Sequence, residues 1–160
     1  MDSESQDDMY RAPCLACGKT PGARAYSLSK MVERQNLEFH ALLGVLEHGW
    51  VATVLDAETL QDFCNRDCWQ KCEPDVRSAW RLKSTFNNDV PITPCCRCGT
   101  AIDRRQPHVT LGLSDEELLP GNFVSATTYD SWDYAVLCMN CGTRESIATS
   151  TDTTVEALVP

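Results

Sequence analysis

Residues 12–18 read APCLACG and residues 93–99 read TPCCRCG. Superposing the two stretches sets Cys14 on Cys95, Cys17 on Cys98 and Leu15 on Cys96. The outer cysteines of each stretch are therefore the working pair, and Cys96 is a spare thiol that reads as exposed. Two-residue spacing lets a tight turn aim both sulfurs at one ion, with backbone N–H groups free to bond the thiolates. A glycine follows both pairs, and also the later pair Cys138 and Cys141. Gly18, Gly99 and Gly142 each suit the positive-φ residue that finishes such a turn.

Two further pairs complete the count of ligands: Cys64 with Cys68 in CNRDC, and Cys138 with Cys141 in CMNCG. Ten cysteines in 160 residues is far above ordinary usage. The acidic start, MDSESQDDMYR, has no apolar stretch of signal-peptide length, and no run approaches a membrane span. Dense cysteine without an export signal points to metal rather than disulfides, and so to a reducing cytoplasm. The expected sites are two structural Zn²⁺ ions, one held by Cys14, Cys17, Cys64 and Cys68, the other by Cys95, Cys98, Cys138 and Cys141.

An internal repeat supports pairing within halves. Ala52, Thr53 and Asp56 precede Cys64 at the same offsets at which Ala126, Thr127 and Asp130 precede Cys138. Each set follows an apolar run, WVATVLD or FVSATTYD, that reads as a strand. A second candidate strand follows each opening pair, RAYSLS and PHVTLGL. The organisation expected is an acidic flexible segment (1–12), a first zinc module (13–86), a second (91–147) and a disordered Thr-rich tail (148–160), with NNDVPITP as the joint. The fold class is α+β.

Local patterns fill in the modules. In the first, SKMVERQNLEFHALLGVLEHG reads as a helical insertion striped by Leu37, Leu42, Val45 and Leu46 and closed by Gly49. Asp56 reads as the cap of a short turn before Cys64. NRDCWQKC reads as a helix carrying Cys68 and Cys72 one turn apart, and Pro74 restarts the chain into a second helix with Val76, Trp80 and Leu82 as core. In the second, Ser114 and Glu117 frame a capping box for a short helix, DEELL. YAVLCMNCG runs a strand into its turn.

These ligand pairs and their flanking strands resemble treble-clef and zinc-ribbon modules, the first half the former and the second half the latter. The resemblance covers about two thirds of the chain and implies tandem modules with one Cys₄ zinc each. Such modules serve nucleic-acid binders, ubiquitin ligases, chaperones and inhibitors, so the fold does not choose a function.

Catalytic chemistry finds little footing. P-C-x-x-C matches part of a zinc deaminase signature, but no upstream His-x-Glu or Cys-x-Glu supplies the remaining ligand and proton shuttle. A zinc ringed by four cysteines has no open position for water. His40 and His48 fall on the helical insertion and His108 begins a strand, so none reads as a nuclease catalyst. Cys72 and Cys96 leave room for a redox-sensing zinc switch.

Two binding surfaces stand out. Asp130, Trp132, Asp133 and Tyr134, with Asp115, Glu116 and Glu117, combine aromatic anchors with carboxylates and suit a basic protein. Arg97, Arg104 and Arg105, extended by Arg66, Arg77, Arg81 and Lys83, suit phosphates. The formal charge of −9 disfavours nucleic acid. The expected protein is thus a non-enzymatic inhibitor, such as an immunity protein or antitoxin that neutralises a basic toxin. A nucleic-acid-binding zinc-ribbon regulator is the second expectation.

Overall fold

The computed structural model describes residues 11–36, 51–86, 90–119 and 126–143. Its elements run β1 (Arg24–Asn36), β2 (Val51–Phe63), α1 (Arg66–Ala79), β3 (Ile92–Pro94), β4 (Ala101–Asp103), β5 (His108–Leu118), β6 (Ala126–Leu137) and α2 (Met139–Thr143). Four long strands form one antiparallel sheet in the order β2-β1-β5-β6, and β3 pairs with β4 apart from it. The two halves therefore share a sheet. Each contributes a pair of neighbouring strands, joined along β1 and β5.

The β1–β5 register is continuous from Arg24↔Glu117 to Glu33↔His108, with Leu28 facing Leu113 near its middle. An antiparallel seam between equivalent strands relates the halves by an approximate two-fold axis there. The register also fixes what each face carries, because side chains alternate along a strand. One face presents Leu28, Val109, Leu111 and Leu113, all buried, flanked by Phe63 and by Ala135 and Leu137. The other presents Ala25, Ser27, Glu33, His108 and Thr110, also buried but largely polar.

Helix α1 covers the apolar face. Its buried residues Cys68, Trp69, Cys72 and Val76 recur at helical spacing. Trp69 stands edge-on to Phe63 at 5.3 Å and to Tyr134 at 5.2 Å between centroids, so one indole ties β2 to β6. Asn65 caps the helix by accepting the Cys68 N–H at 2.9 Å. At the far end Arg81 adopts φ 56°. The Leu82 N–H reaches the Arg77 carbonyl and the Arg81 N–H that of Ser78, which closes the helix in a Schellman turn.

Several local expectations are corrected. Ser29–Asn36, assigned to a helical insertion, belongs to β1; the Leu37–Gly49 remainder lies outside the described residues. Alternation of Met31, Glu33 and Gln35 on one face is a strand period that the leucine stripe beyond it obscured. Asp56 lies within β2, and DEELL continues β5 rather than forming a capped helix, because cross-strand pairing with β1 and β6 outweighs a local cap. Pro74 does not restart the chain: α1 runs through it. Gln70 and Pro74 are both exposed, so water can meet the carbonyl that the proline leaves without its donor.

Candidate metal centres

Each half opens with the same turn. The Cys14 N–H bonds the Lys19 carbonyl and the Gly18 N–H bonds the Cys14 carbonyl, both at 2.8 Å. The Cys95 N–H bonds the Thr100 carbonyl at 2.8 Å and the Gly99 N–H the Cys95 carbonyl at 2.9 Å. Gly18 and Gly99 take φ of 75° and 79°, as the turn requires. Gly142 differs from expectation. It lies within α2, and a Cβ there would stand 2.4 Å from Val109, so close approach rather than positive φ demands a glycine.

The second pair of each half stands where a strand passes into a helix. Cys64 follows β2, and Cys68 sits at the third position of α1 after the Asn65 cap. Cys138 follows β6, and its carbonyl accepts the Gly142 N–H at 2.8 Å, with Cys141 at the third position of α2. The second half therefore ends in the same strand-to-helix corner as the first, not in a strand turn. The extra residue in CNRDC is the cap.

The sulfurs of Cys14, Cys17, Cys64 and Cys68 all lie within 4.8 Å of one another, as do those of Cys95, Cys98, Cys138 and Cys141. These eight residues are the ones the spacing pairs, and both sets could hold a metal ion. A tetrahedral ion with sulfurs at about 2.3 Å requires sulfur–sulfur edges of about 3.8 Å. Cys17 and Cys64 are 3.6 Å apart and Cys98 and Cys138 3.8 Å. The Cys138 N–H points at the Cys95 sulfur from 3.4 Å, the donor a thiolate needs.

The electrostatics of the two sets agree. Burial opposes ionisation of Cys14, but N–H groups of Cys64, Cys17 and Ala16 overcome it and bring the thiol down to about 6. Bonds from the Thr100 hydroxyl and backbone bring Cys98 down to about 6. Burial and then the neighbouring cysteines push Cys64 and Cys141 up to about 12. Four thiolates crowded together hold one another's protons on unless a cation replaces them.

The spare thiols are both buried. Cys72 is 4% exposed and faces inward from α1, whereas Cys96 is 3% exposed, contrary to its expected exposure. Its N–H bonds the Val136 carbonyl, and its own carbonyl accepts from Lys83 and Ser84. Cys96 thus pins the chain leaving α1 and the last strand to the second turn. Arg97 assists, donating to the Trp80 carbonyl at 2.8 Å and the Cys141 carbonyl at 3.0 Å.

The expected binding surfaces are largely consumed by internal contacts. Asp115 receives two bonds from Arg24 at 3.1 Å, Glu116 one from Arg11 at 3.5 Å, and Glu117 one from the Tyr129 hydroxyl at 2.7 Å. Asp133 pairs with Arg104 at 3.4 Å. Tyr134 is buried and bonds Glu73, so it is a packing residue. Asp130 and Trp132 remain exposed, joined by Tyr129, whose ring carries the Arg24 guanidinium at 4.0 Å. Among the arginines, Arg104 is 1% exposed over the Phe86 ring, Arg105 is paired with Asp103, and Arg77 with Glu73.

Arg11 gave no signal in the sequence, standing at the end of an acidic stretch. It is 4% exposed, ion-paired with Asp62 at 3.1 Å, and bonded to the Ala23 carbonyl. Lys and Arg balance Asp and Glu among the described residues, so the net charge of −9 resides in the residues outside them. No described helix is long and apolar enough to cross a membrane. Comparisons with protein-family models, curated proteins and solved structures found no match for the chain.

Proposed function

We propose that the protein is a non-enzymatic, protein-binding scaffold built on two structural zinc ions, each held in a treble-clef-like half. Both halves share the ingredients of that motif: an opening cysteine turn, a pair of long strands and a helix whose first turn carries the last ligand. The carrying observation is the completeness of the ligand sets. Four sulfurs surround each position, which leaves no place on the ion for water or substrate.

The partner read from this surface is a basic protein, and inhibition of a basic toxin remains the function it fits best. The outer half of β6 is an exposed edge strand, with Tyr129 half exposed, Trp132 38% exposed and Asp130 between them. Aromatic rings beside a carboxylate supply anchors and steering together. The acidic segments outside the described residues add long-range attraction. Nucleic acid fits less well, since Arg97, Arg104 and Arg105 already serve carbonyls and carboxylates of the chain itself.

A photo-crosslinking residue at position 131, beside the Trp132 anchor, in the zinc-loaded chain tests this. The expected result is a stoichiometric complex with one basic protein, whose activity falls as this chain is added and recovers with Trp132→Ala. A zinc-loaded chain that shifts oligonucleotides in a salt-dependent way, and inhibits no basic protein, overturns it.

A further inference from the structure

The sheet has two edges, and the internal repeat makes them equivalent. β2 closes one side and β6 the other, each paired with a single strand among the described residues. Both are bulged at the same place. The register slips between Asp56 and Val54 on β2, with Leu55 the extra residue, and between Asp130 and Thr128 on β6, with Tyr129 the extra residue. Asp56 and Asp130 stand just after these bulges, and each carboxylate accepts the N–H of the next residue, Ala57 at 3.0 Å and Ser131 at 2.9 Å. A bulge that bends the strand and a side chain that occupies a backbone donor both blunt an edge.

Before the bulges the two edges part. On β6 the stretch is Ala126, Thr127 and Thr128, and the bulged Tyr129 is held by its hydroxyl bond to Glu117 and by the Arg24 guanidinium over its ring. On β2 the corresponding stretch is Ala52, Thr53 and Val54, followed by Leu55. Val54 is 50% exposed and Leu55 53%, and residues 52–59 are exposed throughout. Ala52, Thr53 and Val54 pair in unbroken register with Gln35, Arg34 and Glu33. β2 thus opens with a regular, uncharged stretch of strand-forming residues that has no strand on its outer side among the described residues. Such an edge is a template for another strand.

The geometry points to self-association through this edge: β2 of one copy pairs antiparallel with β2 of a second copy about a two-fold axis at Thr53, making one continuous sheet of two four-stranded ones. Equivalent strands already pair antiparallel inside the chain, β1 with β5 along the seam. Charge selects the register. Directly opposed residues share a face, so a two-fold axis normal to the sheet must pass where a residue meets its own counterpart. An axis at Asp56 would oppose two carboxylates, and one at Val54 would set each Asp56 against Ala52. An axis at Thr53 opposes Ala52 to Val54 twice and Thr53 to itself, and leaves both Asp56 side chains outside that stretch. The Ala52 and Val54 side chains of both copies then meet on the polar face, where they flank Gln35 and Glu33, and the threonines meet on the other. Apolar and Thr–Thr pairs of this kind stabilise sheets. The outer half of β6 stays open, so this inference can fail without touching the protein-binding reading.

Sedimentation equilibrium of the zinc-loaded full chain tests the state, and hydrogen exchange at low and high protein concentration locates the contact. A reversible monomer–dimer equilibrium is expected, tightening as salt screens the net charge of −9. Added protection should fall on the amides of residues 52–55 and spare those of 126–130. Val54→Lys should raise the dissociation constant about tenfold or more by setting charges into the apolar pairs, with zinc content and far-UV circular dichroism unchanged. Thr127→Lys, near the corresponding place on β6, should leave it as it was. If Val54→Lys loses zinc, the exchange pattern of the unaltered chain decides alone. A chain that stays monomeric up to about 1 mM, the range of very weak association, overturns the inference. So does growth beyond a dimer, which an open-ended pairing of β2 with β6 would give. A dimer whose added protection falls elsewhere, or one that a zinc-loaded Val54→Lys chain leaves intact, overturns it too.

Discussion

The two metal centres reach nearly the same ligand geometry from unequal material. The first uses a four-residue step, Cys64 to Cys68, a dedicated Asn65 cap and the long helix α1. The second uses a three-residue step, lets Cys138 stand at the helix entrance, and ends in the short helix α2. The opening turns match bond for bond. Ligand placement thus depends on a turn and a helix start, and tolerates wide variation beyond them. The long helix is free to do a second task, clamping the shared sheet through Trp69.

Metal removal gives the strongest test of that comparison. Stripping both ions with a chelator under reducing conditions should unfold the whole chain, because zinc sites of this kind contribute about 10 kcal/mol or more. Cys141→Ser, which cripples only the second set, should loosen the first as well, since the seam and Trp69 join them. Zinc counting beside hydrogen exchange checks both; a first half that keeps its protection intact would mean the halves fold independently.

Trp69→Ala should cost about 3–5 kcal/mol, with the ion pairs and ligands untouched. Chemical denaturation at saturating zinc measures it, and the loss should fall on both halves. Gly142→Ala should cost about 1–3 kcal/mol through its clash with Val109. Gly18→Ala, which meets nothing within 4 Å, should cost about 1–2 kcal/mol through its backbone alone. The contrast separates two glycines that look alike in sequence. Asn65→Ala should cost about 1 kcal/mol and weaken zinc retention in the first set only.

Acid should act on both sets in the same direction. Ligand thiolates are the charged form, so the stability they provide is present at neutral pH and lost as protons compete with the ion on acidification. Absorbance of a zinc indicator during a downward pH titration checks this. Release of both ions over one narrow range supports a shared body, and two separated steps argue against it.

Much of the candidate site was legible because cysteine spacing is a local, chemically loud signal. The eight ligands, their grouping and the strand-to-helix corner of the first half all follow from short stretches. The strands were less legible where local cues competed: Ser114 and Glu117 resemble a cap, yet neighbours on both sides hold them extended. Gly142 looked like its counterparts because a positive-φ glycine and a tightly packed one share one letter. Least legible was the internal pairing of the acidic-aromatic residues, since a carboxylate in sequence does not reveal the arginine beside it.

The sequence by itself determined the ligand pairs and the internal repeat, because two residues a fixed step apart must share a turn whatever surrounds them. Only the tertiary structure decided that the halves share one sheet along β1 and β5. It also buried Cys96 and Arg11 and set Glu33, Gln35 and His108 together. Those outcomes depend on contacts between segments far apart in the chain, which burial and hydrogen-bond satisfaction select and no local pattern encodes.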